Sequence, residues 1–148
     1  MAHMTRSIKI NAPIAKVFNY VTDPGNWTTY VTSLVEIRNV SDETPKAGTT
    51  FEWTYRMLGM NFDGKGSIVE LEQNSRFAME MEGSFPIRET FAFEEEAGVT
   101  TIRFEIRYDV PGKVLSVISN SSVVEKMNAK EAEAVVERLK DICESDNI

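Results

Sequence analysis

The sequence predicts an α+β fold with a seven-stranded antiparallel sheet, two short helices after the first strand, and one long C-terminal helix. Three observations carry this prediction. Between residues 34 and 110, apolar residues recur at every second position between short polar turns, which is typical of hairpin-linked strands. Residues 114–143 contain neither Pro nor Gly, and their apolar residues recur at helical spacing. One strand and two short helical segments precede the sheet, so the helices belong on one of its faces.

The segment before the sheet begins with a strand at residues 7–11, where apolar and polar residues alternate. Pro13 suits the first position of a helix, and Asn11 or Ala12 is predicted to cap it. This helix buries residues spaced three and four apart, namely Ile14, Val17, Phe18 and Val21. Residues 23–26 end it, and a second short helix is predicted over residues 27–31.

Six further strands each have one predicted inward side. The spacing of two is clearest at residues 51–57, and Gly64 and Gly66 inside the next strand predict a bulge or bend. The residues that share one side of each strand are Val35, Ile37 and Asn39; Phe51, Trp53, Tyr55 and Met57; Phe62 and Ile68; Phe77, Met79 and Met81; Ile87, Phe91 and Phe93; and Ile102, Phe104, Ile106, Tyr108 and Val110.

The C-terminal helix has one apolar face, formed by Val114, Val117, Ile118, Val124, Ala132, Val135, Val136, Leu139 and Ile142. Its opposite, polar side contains Lys126, Lys130, Glu133, Glu137, Lys140 and Asp141. Ser121 and Asn128 interrupt the apolar face near its centre. We therefore expect this face to border something other than a plain apolar core.

Composition excludes several classes of function. The chain has 148 residues and a net charge of −7, and no basic cluster accompanies its aromatic residues, so nucleic-acid binding is not expected. No apolar run is long enough for a membrane span. The single cysteine, Cys143, indicates a reducing cytoplasm and is predicted to pack at the helix end. One domain is predicted over residues 5–148.

The only histidine, His3, lies in residues 1–4, which resemble a cloning remnant. Without another histidine, a Ser-His-Asp or Cys-His catalytic site is excluded, and one cysteine cannot build a thiolate zinc site. We therefore predict no metal and no cofactor, and we expect any acid–base chemistry to use a carboxylate.

Residues 10–23, Ile-Asn-Ala-Pro-Ile-Ala-Lys-Val-Phe-Asn-Tyr-Val-Thr-Asp, followed by Trp27, resemble the opening of the START and pollen-allergen-like superfamily (SRPBCC). The branch they resemble is polyketide cyclase/dehydrase and lipid transport. The resemblance covers the whole chain, because the order of elements and the long C-terminal helix match as well. It implies a helix-grip fold, in which a curved seven-stranded sheet wraps around the long helix and encloses a cavity.

Such a cavity is predicted between the sheet and the C-terminal helix, although side chains filling this space are the alternative. Tyrosine hydroxyls, Ser121 and Asn128 would supply its few polar anchors, and methionines would adapt to an irregular ligand or fill gaps in an ordinary core. The predicted ligand-binding residues are Trp53, Tyr55, Met57, Phe77, Met79, Glu89, Phe91, Phe104, Tyr108, Ser121, Val124 and Asn128.

Glu89 is the most unusual of these residues, because it is in phase with Ile87, Phe91 and Phe93 on the inward side of a strand. A buried carboxylate is costly unless it is paired or protonated. It is therefore a candidate acid or base, or an anchor for a polar group of a ligand. The alternatives are a bulge that turns it outward or an ion pair at the sheet rim.

Two functions follow from these features. The first is binding or carriage of a small hydrophobic molecule, such as a lipid, an isoprenoid or a polyketide-like compound. The second is a cyclase or dehydratase that uses a cavity carboxylate. Glu89 is its candidate catalytic residue, and Glu70 and the tyrosines are the alternatives. The superfamily also contains protein-binding adaptors, which no feature of this sequence favours.

Overall fold

The structure, a computed structural model, describes residues 2–83, 86–108, 112 and 121–145. In the last helix, side chains are described from residue 126 onward, except that of residue 128. In chain order the elements are β1 (Ala2–Ile10), α1 (Ile14–Thr22), a 3₁₀ turn (Pro24–Asn26), α2 (Trp27–Tyr30), β2 (Leu34–Arg38), β3 (Thr50–Met57), β4 (Met60–Glu72), β5 (Arg76–Gly83), β6 (Ile87–Glu96), β7 (Val99–Tyr108) and α3 (Ser121–Cys143).

The seven strands form one antiparallel sheet in the order β1-β7-β6-β5-β4-β3-β2. The predicted α+β class and the number of strands are therefore confirmed. β1 and β2 lie at opposite edges although only α1, the 3₁₀ turn and α2 separate them in sequence. The helical segment thus carries the chain from one edge of the sheet to the other, and α3 packs against β1 and β7 and against both short helices.

Alternation of buried and exposed residues in β6 and β7 is as regular as predicted. Aromatic rings fill the centre of the core: Phe91 lies 4.8 Å from Phe104 and 5.9 Å from Phe77, measured between ring centroids. Trp27 packs edge-on against Phe51 at 4.9 Å and donates its indole N–H to the carbonyl of Val21. Trp27 therefore joins the short helices to the sheet.

Several boundaries differ from those predicted. β1 begins at Ala2, not at residue 7, because Ala2–Ile10 pairs continuously with β7. Pro13 stands at the N-cap of α1 and not inside it, and neither Asn11 nor Ala12 caps this helix. The carboxylate of Glu95, which belongs to β6, instead accepts the Ile14 N–H at 2.9 Å.

Gly64 and Gly66 serve close packing, while the bulge in β4 lies further along, between Ile68 and Glu70. A Cβ on Gly64 would come within 2.1 Å of a backbone oxygen and 2.3 Å of the Trp53 ring. The glycines therefore leave room for aromatic rings of β3. A second irregularity, between Leu34 and Glu36 in β2, leaves Val35 exposed, whereas Ile37, which was predicted to share its side, packs against the core.

The long C-terminal helix is confirmed over Ser121–Cys143, and its predicted part at residues 114–120 lies outside the described residues. Ala132, Val135, Val136 and Leu139 are buried as predicted, and Cys143 is a buried free thiol at the helix end. These residues place α3 over the sheet and fix the face that it turns towards the interior.

Candidate ligand-binding cavity

A cavity of about 350 Å³ lies between the sheet and α3, where β3, β6 and β7 face the middle of the helix. Its volume falls in the range of small-molecule sites. Its walls are formed by Thr32, Ser33, Tyr55, Arg56, Met57, Leu58, Ile87, Ile106, Tyr108, Met127, Lys130, Glu131 and Ala134.

The cavity has an apolar interior and a charged mouth. Tyr55, Ile87, Ile106 and Tyr108 are buried and come from three strands, so they form the floor. Leu58 and Lys130 are exposed and form the rim, whereas Arg56 directs its side chain to the outer face of the sheet, where its Nε–H donates to Asn61 Oδ1 at 2.9 Å. The apolar surface of the cavity therefore lies below an exposed rim.

Leu58 is an unusual residue for its position at this rim. The two-residue turn between β3 and β4 has positive φ at both positions, 49° at Leu58 and 76° at Gly59. Asn, Asp and Gly adopt this conformation most readily, whereas a bulky apolar residue is strained there. Leu58 is also 49% exposed, so its side chain gains little from burial within the protein.

Glu131 connects α3 to the segment between α2 and β2. Its Oε2 accepts hydrogen bonds from the hydroxyls of Ser33 at 2.8 Å and Thr32 at 3.1 Å, and its Oε1 accepts the Ser33 N–H at 3.4 Å. These donors engage both carboxylate oxygens and hold residues 32 and 33 in the cavity wall.

Glu89 is 1% exposed, as the inward phase of β6 predicts. The hydroxyl of Tyr55 donates a hydrogen bond to its Oε1 at 2.6 Å. Tyr55 is on β3, three strands away from β6, which on a flat sheet would correspond to about 14 Å. The two side chains meet because the sheet curls, so this bond also records the curvature predicted for the fold.

The charge of Glu89 is strongly disfavoured in this position. Burial raises the pKa of Glu89 to about 7; the hydrogen bond from Tyr55 opposes this rise, and the negative charge of Glu131 adds to it. Burial also raises the pKa values of the Tyr55 and Tyr108 phenols, and the charges of Glu89 and Glu131, respectively, raise them further. The phenols are therefore neutral near pH 7, while Glu89 exchanges a proton there.

The predicted ligand-binding residues divide into three groups. Tyr55, Met57 and Tyr108 line the cavity. Six others lie inward but outside the cavity wall, where as ligand contacts they stay predictions: Trp53, Phe77, Met79, Glu89, Phe91 and Phe104. The side chains of the remaining three, Ser121, Val124 and Asn128, lie outside the described part of the structure. Glu70 lies on β4 in an ion pair with Arg76 at 2.7 Å, and it is not among the residues that line the cavity.

Sequence reasoning missed the part of the wall that α3 contributes. Met127, Lys130, Glu131 and Ala134 are spaced i, i+3, i+4 and i+7, which places them on one helical face. This spacing could have pointed to the cavity wall, but the neighbouring face of the same helix has a more regular apolar pattern and dominates the sequence. The polar side of the helix, which includes Lys130, is exposed as predicted, and Lys130 also lines the cavity mouth. Thr32 and Ser33 carry no comparable signal, because loop positions follow from packing.

The described residues contain neither a metal-binding cluster nor a membrane-spanning helix. Among them, no group of three or more His, Cys, Asp or Glu side chains is placed to hold a metal ion. In the same part of the chain, no helix has both the length and the apolar character needed to cross a bilayer.

The sequence matches the family model described as polyketide cyclase/dehydrase and lipid transport over residues 1–144. The chain belongs to this family. The resemblance predicted from residues 10–23 and from the order of elements is thus confirmed. No curated protein sequence matches the chain.

Several solved structures share the fold of this chain. A protein from Thermus thermophilus is 18% identical, with a TM-score of 0.76 over 96% of this chain and 97% of its own. A START superfamily protein from Mycobacterium smegmatis is 12% identical, with a TM-score of 0.71 over 96% and 97%. The di-domain ARO/CYC StfQ from the steffimycin biosynthetic pathway is 14% identical, with a TM-score of 0.65 over 95% of this chain and 44% of its own. At these identities the likeness shows the helix-grip fold alone.

Proposed function

We propose that this protein binds a small hydrophobic molecule, such as a lipid, an isoprenoid or a polyketide-like compound, in the cavity between the sheet and α3. The observation that carries the proposal is the cavity of about 350 Å³ with a buried floor of Tyr55, Ile87, Ile106 and Tyr108. Apolar pockets with few polar groups are typical of small-molecule sites. Membership of a family that includes lipid transport supports the same function.

A neutral fluorescent probe, N-phenyl-1-naphthylamine, tests this proposal by titration. Ala134 lines the cavity, so Ala134→Phe should fill part of it and weaken probe binding at least tenfold. Ala129 is a matched control, because it is also a half-buried alanine of α3 but does not line the cavity. Ala129→Phe should bind the probe as the wild type does. Equal affinities of all three proteins, each with an intact thermal unfolding transition, would contradict the proposal.

A second candidate function is acid–base catalysis of the cyclase or dehydratase type. The observation that favours it is the pair of Glu89, whose pKa is about 7, and Tyr55, which lines the cavity. A general acid or base works best when its pKa is near the working pH. The Tyr55 hydroxyl, which is bonded to Glu89 and lines the cavity, would relay a proton between the Glu89 carboxyl group and a molecule bound in the cavity.

Mass spectrometry of a molecule retained through purification separates the two functions. Recovery of the same compound before and after prolonged incubation with fresh protein supports binding alone. Loss of one water or a change to a cyclised isomer, abolished by Glu89→Gln, supports catalysis.

We also propose that binding takes place in the reducing cytoplasm. This proposal rests on the single cysteine of the sequence, Cys143, which is a free thiol.

A further inference from the structure

Glu131 is the acidic residue among the described residues that line the cavity, and it has no partner of opposite charge among them. Within that part of the chain, every ion pair of a lysine, arginine or histidine involves another carboxylate. Arg56 lies with Asn61 on the outer face of the sheet. Lys130 is exposed on α3, where adjacent residues point about 100° apart. Glu131 therefore brings a negative charge to the wall that no neighbouring cation neutralises.

The hydrogen bonds of Glu131 fix its position and leave it able to accept another. Its Oε2 accepts from the hydroxyls of Ser33 at 2.8 Å and Thr32 at 3.1 Å, whereas its Oε1 accepts only the Ser33 N–H, at 3.4 Å. A carboxylate offers about four lone-pair positions, so Oε1 retains room for a further donor. Because the side chain is already held in place, a donor on a ligand would order little that is mobile.

The charge of Glu131 acts across the floor of the cavity. Burial is the largest cause of the raised pKa values of Tyr55, Tyr108 and Glu89. The negative charge of Glu131 raises all three further, and the charge of Glu89 also raises the pKa of Tyr55. These groups thus experience a negative potential that disfavours any added negative charge. A carboxylate entering the cavity would meet the same penalty, whereas a cation would be favoured.

The rest of the wall suits the body of an organic cation. Ile87 and Ile106 are buried at 3% exposure each and line the cavity with aliphatic surface. Tyr55 and Tyr108 line it with aromatic side chains, and aromatic rings attract cations as well as apolar groups. A small inorganic cation would leave this surface unused. The combination fits an ammonium group attached to an apolar body.

We propose that the ligand is a hydrophobic amine, protonated at neutral pH, and that Glu131 binds its ammonium group while the apolar body lies against Ile87 and Ile106. This inference rests on the proposed function, since it assigns the polar end of a ligand in the same cavity. It selects amines from the broad set of small hydrophobic molecules and disfavours compounds with an acidic group.

Displacement of N-phenyl-1-naphthylamine by three compounds with the same phenylbutyl body tests the proposal: 4-phenylbutylamine, 4-phenylbutanol and 4-phenylbutanoic acid. At about pH 7.5 the amine is expected to bind about tenfold more tightly than the alcohol, and the acid most weakly. Raising the ionic strength should weaken the binding of the amine and leave that of the alcohol unchanged, because screening acts on the charge.

Two variants assign the preference to Glu131. Glu131→Gln keeps an oxygen that can accept the Ser33 N–H but removes the charge. It should weaken the binding of the amine about tenfold and leave that of the alcohol unchanged. Glu137→Gln is the matched control, because Glu137 is an exposed glutamate of α3 that does not line the cavity. It removes the same charge from the chain and should leave all three affinities unchanged.

The possible failures are distinguishable. Equal affinities for amine and alcohol, tighter binding of the acid, or equal losses of amine affinity in both variants would overturn the ammonium site while binding itself stands. Equal losses of amine and alcohol affinity in Glu131→Gln would also overturn it, because the carboxylate would then only shape the wall. Absence of saturable binding of the neutral probe and of all three compounds would overturn the proposed function together with this inference.

Discussion

Replacing Glu89 by Gln should remove a pH dependence from the stability of the protein. The folded-state pKa of Glu89 is about 7, against an ordinary value of 4.5, so the folded state favours the protonated acid. The stabilisation is therefore fully present below pH 4.5 and is lost as pH rises through about 7. One unit of pKa displacement corresponds to about 1.4 kcal/mol, so the charged form of Glu89 destabilises the fold by about 3 kcal/mol.

Glutamine has nearly the shape of a protonated glutamate and can still accept the hydrogen bond from Tyr55. Glu89→Gln should therefore match the wild type at low pH and exceed it by about 3 kcal/mol at about pH 8. Urea denaturation of both proteins across this pH range measures the difference directly, because titration of the other groups cancels. Glu94→Gln is the matched control, since Glu94 lies exposed on the same strand; its curve should run parallel to the wild type.

Parallel curves for Glu89→Gln and wild type would refute the reasoning, because they would mean that Glu89 titrates alike in the folded and unfolded protein. Tyr55→Phe provides a second check. The hydrogen bond from Tyr55 lowers the pKa of Glu89, so its removal should move the loss of stability to higher pH. A shift of that window to lower pH would contradict the assigned direction.

Three other substitutions or deletions give further tests. Leu58→Asn should raise the free energy of unfolding, measured in urea, by about 1 kcal/mol, because Asn adopts positive φ more readily than Leu. The same substitution should weaken the binding of N-phenyl-1-naphthylamine in a titration, because it removes part of the apolar cavity rim. Gly64→Ala should lower the thermal midpoint and destabilise the fold by about 2 kcal/mol or more, since its Cβ would clash with backbone and with Trp53. Deleting residues 1–3 should cost about 1 kcal/mol in urea denaturation, because the pairing of His3 with Arg107 is lost, and should leave probe affinity unchanged. A loss of probe affinity on that deletion would contradict the exclusion of His3 from function.

The sequence predicted best where a regular pattern governs the structure. Strict alternation in β6 sufficed to place Glu89 inside, because a strand without irregularities keeps its side chains on fixed faces. The same reasoning failed for Val35, where an irregular register in β2 shifts the phase by one residue. A bulge gives no dependable signal in the sequence, since it depends on how two strands pair.

The cavity itself depends on distances that no local pattern contains. That Tyr55 reaches Glu89 follows from sheet curvature, which is a property of all the strands together. The role of Glu131 follows from the position of a loop ninety-odd residues earlier in the chain. Lys130 illustrates a related point: it is exposed on the polar side of the helix, as predicted, and that side can still border a cavity when the sheet curls away from it.

The hydrogen bond between Tyr55 and Glu89 has a consequence for folding accuracy. Its two ends are 34 residues apart in sequence, and β4 and β5 lie between them in the sheet. A slip of two residues in any of the three intervening ladders keeps the apolar side chains on the inner face but displaces the carboxyl group from the phenol by about 7 Å, so Glu89 would be buried without this hydrogen bond. Correctly and incorrectly aligned sheets with equally apolar cores therefore differ in energy through this one polar pair. The pair thus favours the correct alignment of the four strands β3, β4, β5 and β6.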